Sequence, residues 1–240
     1  MSALETLLLA QAESPGGIRA GLAALADVLK GPSCQAAGDG SDGPSGPGGL
    51  RRDAWPPEAR TVLVLGLHHP AKNPRLDWWE RGDTWGNRRL RALSAFLKRW
   101  LREAHGLGAY PLPYHLEKGG LFLKDAAALS GIGVIGRNNL LLTPEWGPRI
   151  RLRSILLEGE WQPTQPLAGF SPCDACDGYC QKACPVTAFP GGRFSRPACG
   201  RQMAGDMEKK AVLGGVAESG RRHFVIQYCR ACELSCPVGA

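Results

Sequence analysis

The period of apolar and polar positions changes repeatedly along this chain, and the changes predict its elements. Leu7, Leu8 and Ala10, then Ile18, Leu22, Leu25 and Leu29, recur at helical spacing and predict two short helices between residues 3 and 30, parted by Gly16-Gly17. Thr61-Val-Leu-Val-Leu-Gly-Leu67 is a continuous apolar run, the pattern of a strand buried on both faces. It ends in His68-His69. Adjacent side chains on an extended chain point to opposite sides, so one packed and one solvated ring is expected there rather than a shared metal.

From Asn87 to His105, Leu90, Leu93, Leu97, Leu101 and Ala104 form one stripe with Arg88, Arg91, Lys98 and Arg102 interspersed, predicting an amphipathic helix stopped by Gly106 and Gly108. An extended piece at Tyr110 to His115 follows. A helix from Leu121 to Leu129, a turn at Ser130-Gly-Ile-Gly133 and a strand at Leu140 to Thr143 come next. Arg149-Ile-Arg-Leu-Arg-Ser-Ile-Leu-Leu157 then alternates basic and apolar residues, a strand with one packed face and a basic first half at Arg149, Arg151 and Arg153. Helices interspersed with apolar strands predict an α/β (α+β) domain over residues 1–165. Residues 31–50 interrupt it: thirteen of the twenty are Gly, Pro or Ser, so a flexible surface loop is expected, with Cys34 as a lone exposed thiol.

Composition adds one decisive asymmetry. The chain has 240 residues, 43% hydrophobic, and nine cysteines, of which eight fall after residue 172. The N-terminus has no basic residue ahead of its short apolar run, and no apolar stretch is long enough to span a bilayer, so a cytoplasmic protein without membrane attachment is expected. In a reducing compartment clustered cysteines are metal ligands or redox groups more often than disulfides. The formal charge of +7 hints at nucleic acid. Two cubane clusters of about −2 each would reduce it to about +3 and weaken the hint.

Cys173, Cys176, Cys180 and Cys184 are separated by two, three and three residues, Cys199 follows alone, and Cys229, Cys232 and Cys236 close the chain. Two C-x-x-C starts, two Cys-Pro endings and a total of eight are the arithmetic of two 4Fe-4S clusters in a small ferredoxin-like domain over residues 166–240. In bacterial two-cluster ferredoxins the cysteine before proline ligates the other cluster. That rule puts Cys173, Cys176, Cys180 and Cys236 on one cluster and Cys184, Cys199, Cys229 and Cys232 on the other. The common run has two residues between its second and third cysteines where this one has three, and Gly178 gives the longer loop room to turn. Zinc is the competing metal. The eight-cysteine total, the Cys-Pro endings and the lack of histidine at zinc spacing favour iron and sulfide.

Gly131-x-Gly133-x-x-Gly136 follows a helix and precedes a strand, the reverse of the dinucleotide-binding order, so an NAD site is not expected. The glycines either let the backbone lie against a flat cofactor, with Arg137 and Asn138 as donors, or form a helix C-cap and turn. The segment from Lys124 through Gly131-Ile-Gly-Val-Ile-Gly-Arg-Asn138 to Pro144-Glu-Trp-Gly147, followed by the cysteine set, resembles the epoxyqueuosine reductase family, which is related to reductive dehalogenases and a cobalamin-processing protein. The resemblance covers roughly residues 60 to 240. It implies a nitroreductase-like domain that holds a cobalamin (corrinoid) against the glycine loop and a double-cluster module that feeds it electrons from a low-potential donor such as ferredoxin or flavodoxin. It also implies a tRNA substrate, for which Arg149, Arg151 and Arg153 are candidate phosphate contacts.

In that family an aspartate upstream of the glycine loop is thought to supply a proton. Glu117 stands at the corresponding place and would need burial to raise its pKa toward neutral. The chain stops just after Cys236, without the helical-repeat extension of many members. These departures leave three readings open: an enzyme, a corrinoid reductive-activation protein with no small substrate of its own, and a ferredoxin whose first domain only docks a redox partner.

Overall fold

A computed structural model describes residues 2–38, 50, 52–212 and 224–239. Its helices are α1 (Ala3–Glu13), α2 (Leu25–Val28), α3 (Pro32–Gly38), α4 (Trp85–His105), α5 (Leu123–Leu129), α6 (Tyr179–Lys182), α7 (Arg196–Glu208) and α8 (Ala231–Leu234). Its strands are β1 (Ile18–Ala24), β2 (Ala59–His68), β3 (Trp79–Glu80), β4 (Asp83–Thr84), β5 (Ala109–Pro111), β6 (Val134–Ile135), β7 (Leu141–Leu142), β8 (Ile150–Glu158), β9 (Ala211–Val212) and β10 (Phe224–Ile226). The fold class is α+β, and its compact units are interleaved in sequence: residues 1–68, 90–135 and 151–170 form one, and residues 69–89, 136–150 and 171–240 the other.

The first unit is built on a four-stranded sheet of order β1-β2-β8-β5, with β1 antiparallel to β2 and β5 antiparallel to β8. Leu63, Leu65 and Leu67 of β2 and Ile155 and Leu157 of β8 are fully or almost fully buried with Leu8 and Ala12 of α1 and Leu90, Leu97 and Leu101 of α4. The leucine stripe of α4 therefore lies as the sequence predicts, except that Ala104 at its end is exposed.

The second expected helix is not formed. After α1, capped by Ser2 and Glu5 in a reciprocal capping box, Gly16 and Gly17 both take positive φ, and Ile18–Ala24 enters the sheet as β1, paired residue for residue with Thr61 to Leu67. Only Leu25–Val28 is helical. A Cβ on Gly21 would lie 2.2 Å from the Ser130 carbonyl oxygen, so the glycine that weakens the strand by propensity is what lets it pack. Tertiary pairing overrides a helical period that four residues happen to satisfy.

The Gly/Pro/Ser segment also departs from expectation. Pro32–Gly38 is a helix whose first turn is held from elsewhere in the unit: the buried Asp125 carboxylate accepts from the Ser33 amide at 2.8 Å and its hydroxyl at 2.9 Å. Residues 39–49 of the expected loop lie outside the described residues. Cys34 is half-buried rather than exposed, with its Sγ 3.4 Å from the Val28 carbonyl.

The second unit carries a small antiparallel sheet of order β4-β3-β10-β9 and the short helices α6, α7 and α8 around the cysteines. Few large apolar side chains are buried among its described residues, Leu142 and Val225 being the most enclosed.

Candidate functional site

Two short stretches of the second unit share one design. Tyr179-Cys-Gln-Lys-Ala-Cys184-Pro and Ala231-Cys-Glu-Leu-Ser-Cys236-Pro each form a one-turn helix, α6 and α8, that presents a cysteine and then turns out at Cys-Pro. The two turns pack against each other. Gly178, in the left-handed region at φ 70°, opens the first of them, which accommodates the extra residue before Cys180.

The thiols gather in two sets. Burial pushes the Cys180 thiol up, and Cys236, Cys173 and Cys176 around it push it further. Burial likewise raises Cys236, with Cys173 and Cys176 again as its cysteine neighbours, against the Val238 amide and Arg149. In the other set burial raises Cys199, with Cys229 and Cys184 beside it, and pushes Cys232 up to about 12, with Cys199, Cys229 and Cys180 adding. The cysteines beside Cys180 and Cys236 are thus Cys173 and Cys176, and those beside Cys199 and Cys232 are Cys184 and Cys229, with Cys180 also acting on Cys232. Cys180 and Cys236 are buried, whereas Cys229 is exposed and the other five are half-buried. Among the described residues no three His, Cys, Asp or Glu side chains converge tightly enough to hold a single metal ion.

Peptide donors already point at the sulfurs. The Arg137 amide lies 3.5 Å from the Cys173 Sγ, and the Ala188 amide donates to the Cys184 Sγ at 3.2 Å. Arg137 and Asn138, read from the sequence as donors to a cofactor, have other partners here. The Arg137 guanidinium reaches the Cys176 and Asp174 carbonyls at 3.3 and 3.5 Å, and the buried Asn138 amide reaches the Cys232 carbonyl at 3.5 Å while its Oδ1 accepts from the Leu140 amide. They brace the cysteine segment.

The loop glycines are tightly packed too. A Cβ on Gly131 would meet the Gln165 carbonyl oxygen at 2.2 Å, one on Gly136 would meet the Leu142 side chain at 2.6 Å, and Gly133 is buried. The first unit holds a half-open cavity of about 610 Å³ lined by Trp55, Trp161, Arg52, Arg60, Leu25 and Glu160 among others, and no residue of the glycine loop lines it.

Glu117 sits in a single 3-10 turn, Leu116–Lys118, with its side chain 59% exposed and its Oε1 3.5 Å from the His115 Nδ1. The burial that would suit it to proton donation is absent. Arg149 is likewise not where a phosphate contact would be: it is 6% exposed and donates to the Val238 carbonyl at 2.8 Å, fastening the residues after Cys236.

One feature of the site has no simple sequence signal. His69, Asp77, Arg230 and Glu233 form a buried ionic group beside the Cys229–Cys232 turn. The Arg230 Nη1 lies 2.6 Å from Asp77, its Nη2 bonds Glu233, and the His69 Nδ1 lies 2.9 Å from the Asp77 Oδ1. Burial opposes the Arg230 charge, but the Glu233 hydrogen bond and the two carboxylate charges outweigh it and hold its pKa above the ordinary value. The clue was the pair of opposite charges directly after Cys229 and Cys232. Their buried partners come from residues 69 and 77, far off in sequence.

No protein-family model matches the chain. It is 26% identical over 196 residues to an epoxyqueuosine reductase of Lactococcus garvieae, covering 75% of this chain and 52% of that protein. It is 25% identical over 197 residues to one of Listeria monocytogenes, covering 75% and 48%. The chain thus spans about half the length of the curated relatives it matches. Among solved structures, an epoxyqueuosine reductase bound to an epoxyqueuosine-modified tRNA stem loop superposes with a TM-score of 0.67 at 19% identity, over 98% of this chain and 65% of that one. The Bacillus subtilis enzyme, with its catalytic aspartate loop swung out of the active site, gives 0.64 at 19% identity over the same shares. A reductive dehalogenase gives 0.63 at 15% identity, over 97% of this chain and 31% of that one. Another, whose structure suggests a mechanism for B12-dependent dehalogenation, gives 0.50 at 17% identity, over 76% and 26%. The chain is related in sequence to epoxyqueuosine reductases and shares their α+β fold. No helix among its described residues is long and apolar enough to cross a membrane.

Proposed function

We propose that this chain is an iron–sulfur oxidoreductase of the epoxyqueuosine reductase type. Residues 166–240 carry the ligands of two 4Fe-4S clusters, and residues 1–165 serve the acceptor. One cluster is held by Cys173, Cys176, Cys180 and Cys236, the other by Cys184, Cys199, Cys229 and Cys232. The observation that supports this most directly is the sorting of the eight thiols into two neighbourhoods, each completed by a cysteine from the other motif. The donor set fits the group. Four thiols per set suit iron, amide N–H groups stand at two of the sulfurs, and the packed turns keep water from Cys180 and Cys236. Clusters of this type, when bound, supply one-electron transfer at low potential.

The chain's own contribution is mechanical and electrostatic. α6 and α8 aim the sulfurs, Arg137 and Asn138 tie the 136–150 segment to the ligand loops, and Arg149 fixes the chain after Cys236. We infer an acceptor of the corrinoid class, on the strength of the B12-dependent dehalogenase that shares the fold. Arg137, Asn138 and the loop glycines do not fit as its cradle, because their contacts are made within the protein. The substrate class suggested by the relatives is the epoxide of an epoxyqueuosine-containing tRNA, and the electron donor we infer is a low-potential one-electron carrier such as ferredoxin or flavodoxin.

The exposure of Glu117 favours a second reading, in which a corrinoid is reduced for a partner protein and no proton is delivered to an epoxide. Anaerobic reconstitution with iron, sulfide and cobalamin tests both. The first reading expects about eight iron and eight sulfide per chain, bound cobalamin, and loss of epoxyqueuosine reduction in Glu117→Gln. Turnover unchanged by Glu117→Gln excludes that residue as the acid, and bound, reducible cobalamin with no turnover of the tRNA supports activation. A chain that takes up zinc but neither iron nor sulfide overturns both.

A further inference from the structure

The two cysteine foursomes differ in access. The first contains two buried thiols, Cys180 and Cys236. The second contains none, and its Cys229 is exposed. α7 (Arg196–Glu208) serves the second foursome twice over. It carries Cys199, and its Asp206 accepts from the Cys229 amide at 2.7 Å while also holding Gln202 at 2.8 Å.

At helical spacing from Cys199, on the same side of α7, stand Met203 and Met207, 43% and 52% exposed. They are two of only three methionines in the chain. Gly200 and Ala204 lie between them, also exposed, so the outward strip is apolar and low in relief. Its margin is basic: Arg196, Arg201, Lys209 and Lys210 are exposed, against Glu208. Lys210 lies 5.1 Å over the ring of Phe224, itself 43% exposed, which extends the apolar surface along β10. Flexible thioethers bordered mainly by basic side chains suit a transient contact that must form and release quickly.

We propose that this outward face of α7 is the docking surface for an acidic protein carrier of single electrons, and that electrons therefore enter at the centre held by Cys184, Cys199, Cys229 and Cys232. The proposal rests on the iron–sulfur reading above. In each encounter the carrier is oxidised by one electron and that centre is reduced by one. No bond is made or broken, and no proton is required. The basic margin steers a negative partner, and the methionine strip brings it to the helix that bears a ligand cysteine. A nucleic acid would also answer to the charge, but not to two exposed methionines beside a cluster ligand.

The test uses the reconstituted holo-protein and a bacterial flavodoxin, an acidic one-electron carrier, as the probe. Affinity for oxidised flavodoxin is read by calorimetry across a salt series, and reduction by the photoreduced flavodoxin is read by stopped-flow bleaching. Lys209→Glu/Lys210→Glu is expected to weaken binding about tenfold and flatten its salt dependence, with a matching loss in the flavodoxin-driven rate. Met203→Ala/Met207→Ala should weaken binding about threefold at unchanged salt slope, as a contact loss would. Lys98→Glu/Arg99→Glu on the exposed side of α4 is the charge-matched control and should change neither reading.

Unchanged flavodoxin affinity in both α7 variants, with normal iron content and normal bleaching by dithionite, overturns the docking surface alone. So does an equal loss in the α4 control. A tRNA stem loop that loses affinity in the α7 charge variant while flavodoxin does not, or a dimer in solution dispersed by Met207→Lys, assigns the face to another occupant and also overturns it. A protein that takes up no iron overturns the cluster reading beneath it.

Discussion

The two units of this molecule solve the problem of stability with different materials. Among the described residues, of the twelve largest fully buried side chains eleven belong to the unit formed by residues 1–68, 90–135 and 151–170, and only Leu142 to the other. The first unit is held by a sheet and helices closing over leucine. The second sets one longer helix, α7, among one-turn helices, two- and three-residue strands and buried charge. An element of four residues has no independent stability, and with so little apolar burial among the described residues the proposed ligation is what would offset the conformational entropy of this unit. On that reading the first unit tolerates the loss of a cofactor, and the second does not.

The largest expected effect follows directly. Removing iron with a chelator under reducing conditions should unfold the second unit and leave the first in place. Limited proteolysis would then cut within 171–240 and spare β2 and β8, and hydrogen exchange would show the same division. Equal protection of both units after complete iron loss would erase the contrast.

The contrast sharpens with single substitutions. In the second unit Arg230→Met leaves the Asp77 and Glu233 carboxylates buried beside His69 without their counter-ion, which should cost about 4 kcal/mol and lower iron retention, since Arg230 adjoins Cys229. In the first unit Leu157→Ala opens a cavity at a fully buried position and should cost about 3 kcal/mol, with iron content unchanged. Denaturant unfolding of each variant, with iron assayed alongside, checks both. A core substitution that released iron would show that the units do not stand independently.

The same division explains what was legible in the sequence. The long apolar elements, β2, α4 and β8, were readable because burial acts on whole periods of sequence. The two cysteine runs stood out because ligand spacing is a local pattern, and their crossed ligation is the proposal made above. β1 was not: its residues satisfy a helical period by chance, and what makes them a strand is pairing with Thr61 to Leu67, a contact between segments some forty residues apart. α3 was missed because its cap, Asp125, lies 92 residues from Ser33. The contacts that Arg137, Asn138 and Arg149 make within the chain were not legible for a related reason. Charged and amide side chains look like ligand contacts in a sequence, and only the fold shows whether a carbonyl of the chain itself has already taken them.

Cysteine chemistry offers the finest comparison, because both units contain a thiol made reluctant to ionise by burial. Cys34 in the first unit is pushed up to about 11, with Asp125 adding to the effect of burial and Arg52 opposing it. A raised folded-state pKa leaves its contribution to stability fully present below the unfolded value of 9.0, and that contribution is lost as pH rises from there through about 11. At pH 8 the thiolate fraction of Cys34 should therefore be about a hundredfold below that of a free thiol. Cys232 in the second unit is raised for the same first reason, burial, but the charges that add to it are mostly those of other cysteines. A metal that takes those protons removes the penalty for the whole set, and no such partner serves Cys34. Alkylation at pH 8 followed by mass spectrometry should accordingly mark Cys34 slowly and at one rate with or without iron, while the other eight pass from protected to rapidly modified when iron is withdrawn and their unit opens. A Cys34 that accelerates along with them would mean that the first unit opens too, and that its leucine core is not sufficient by itself.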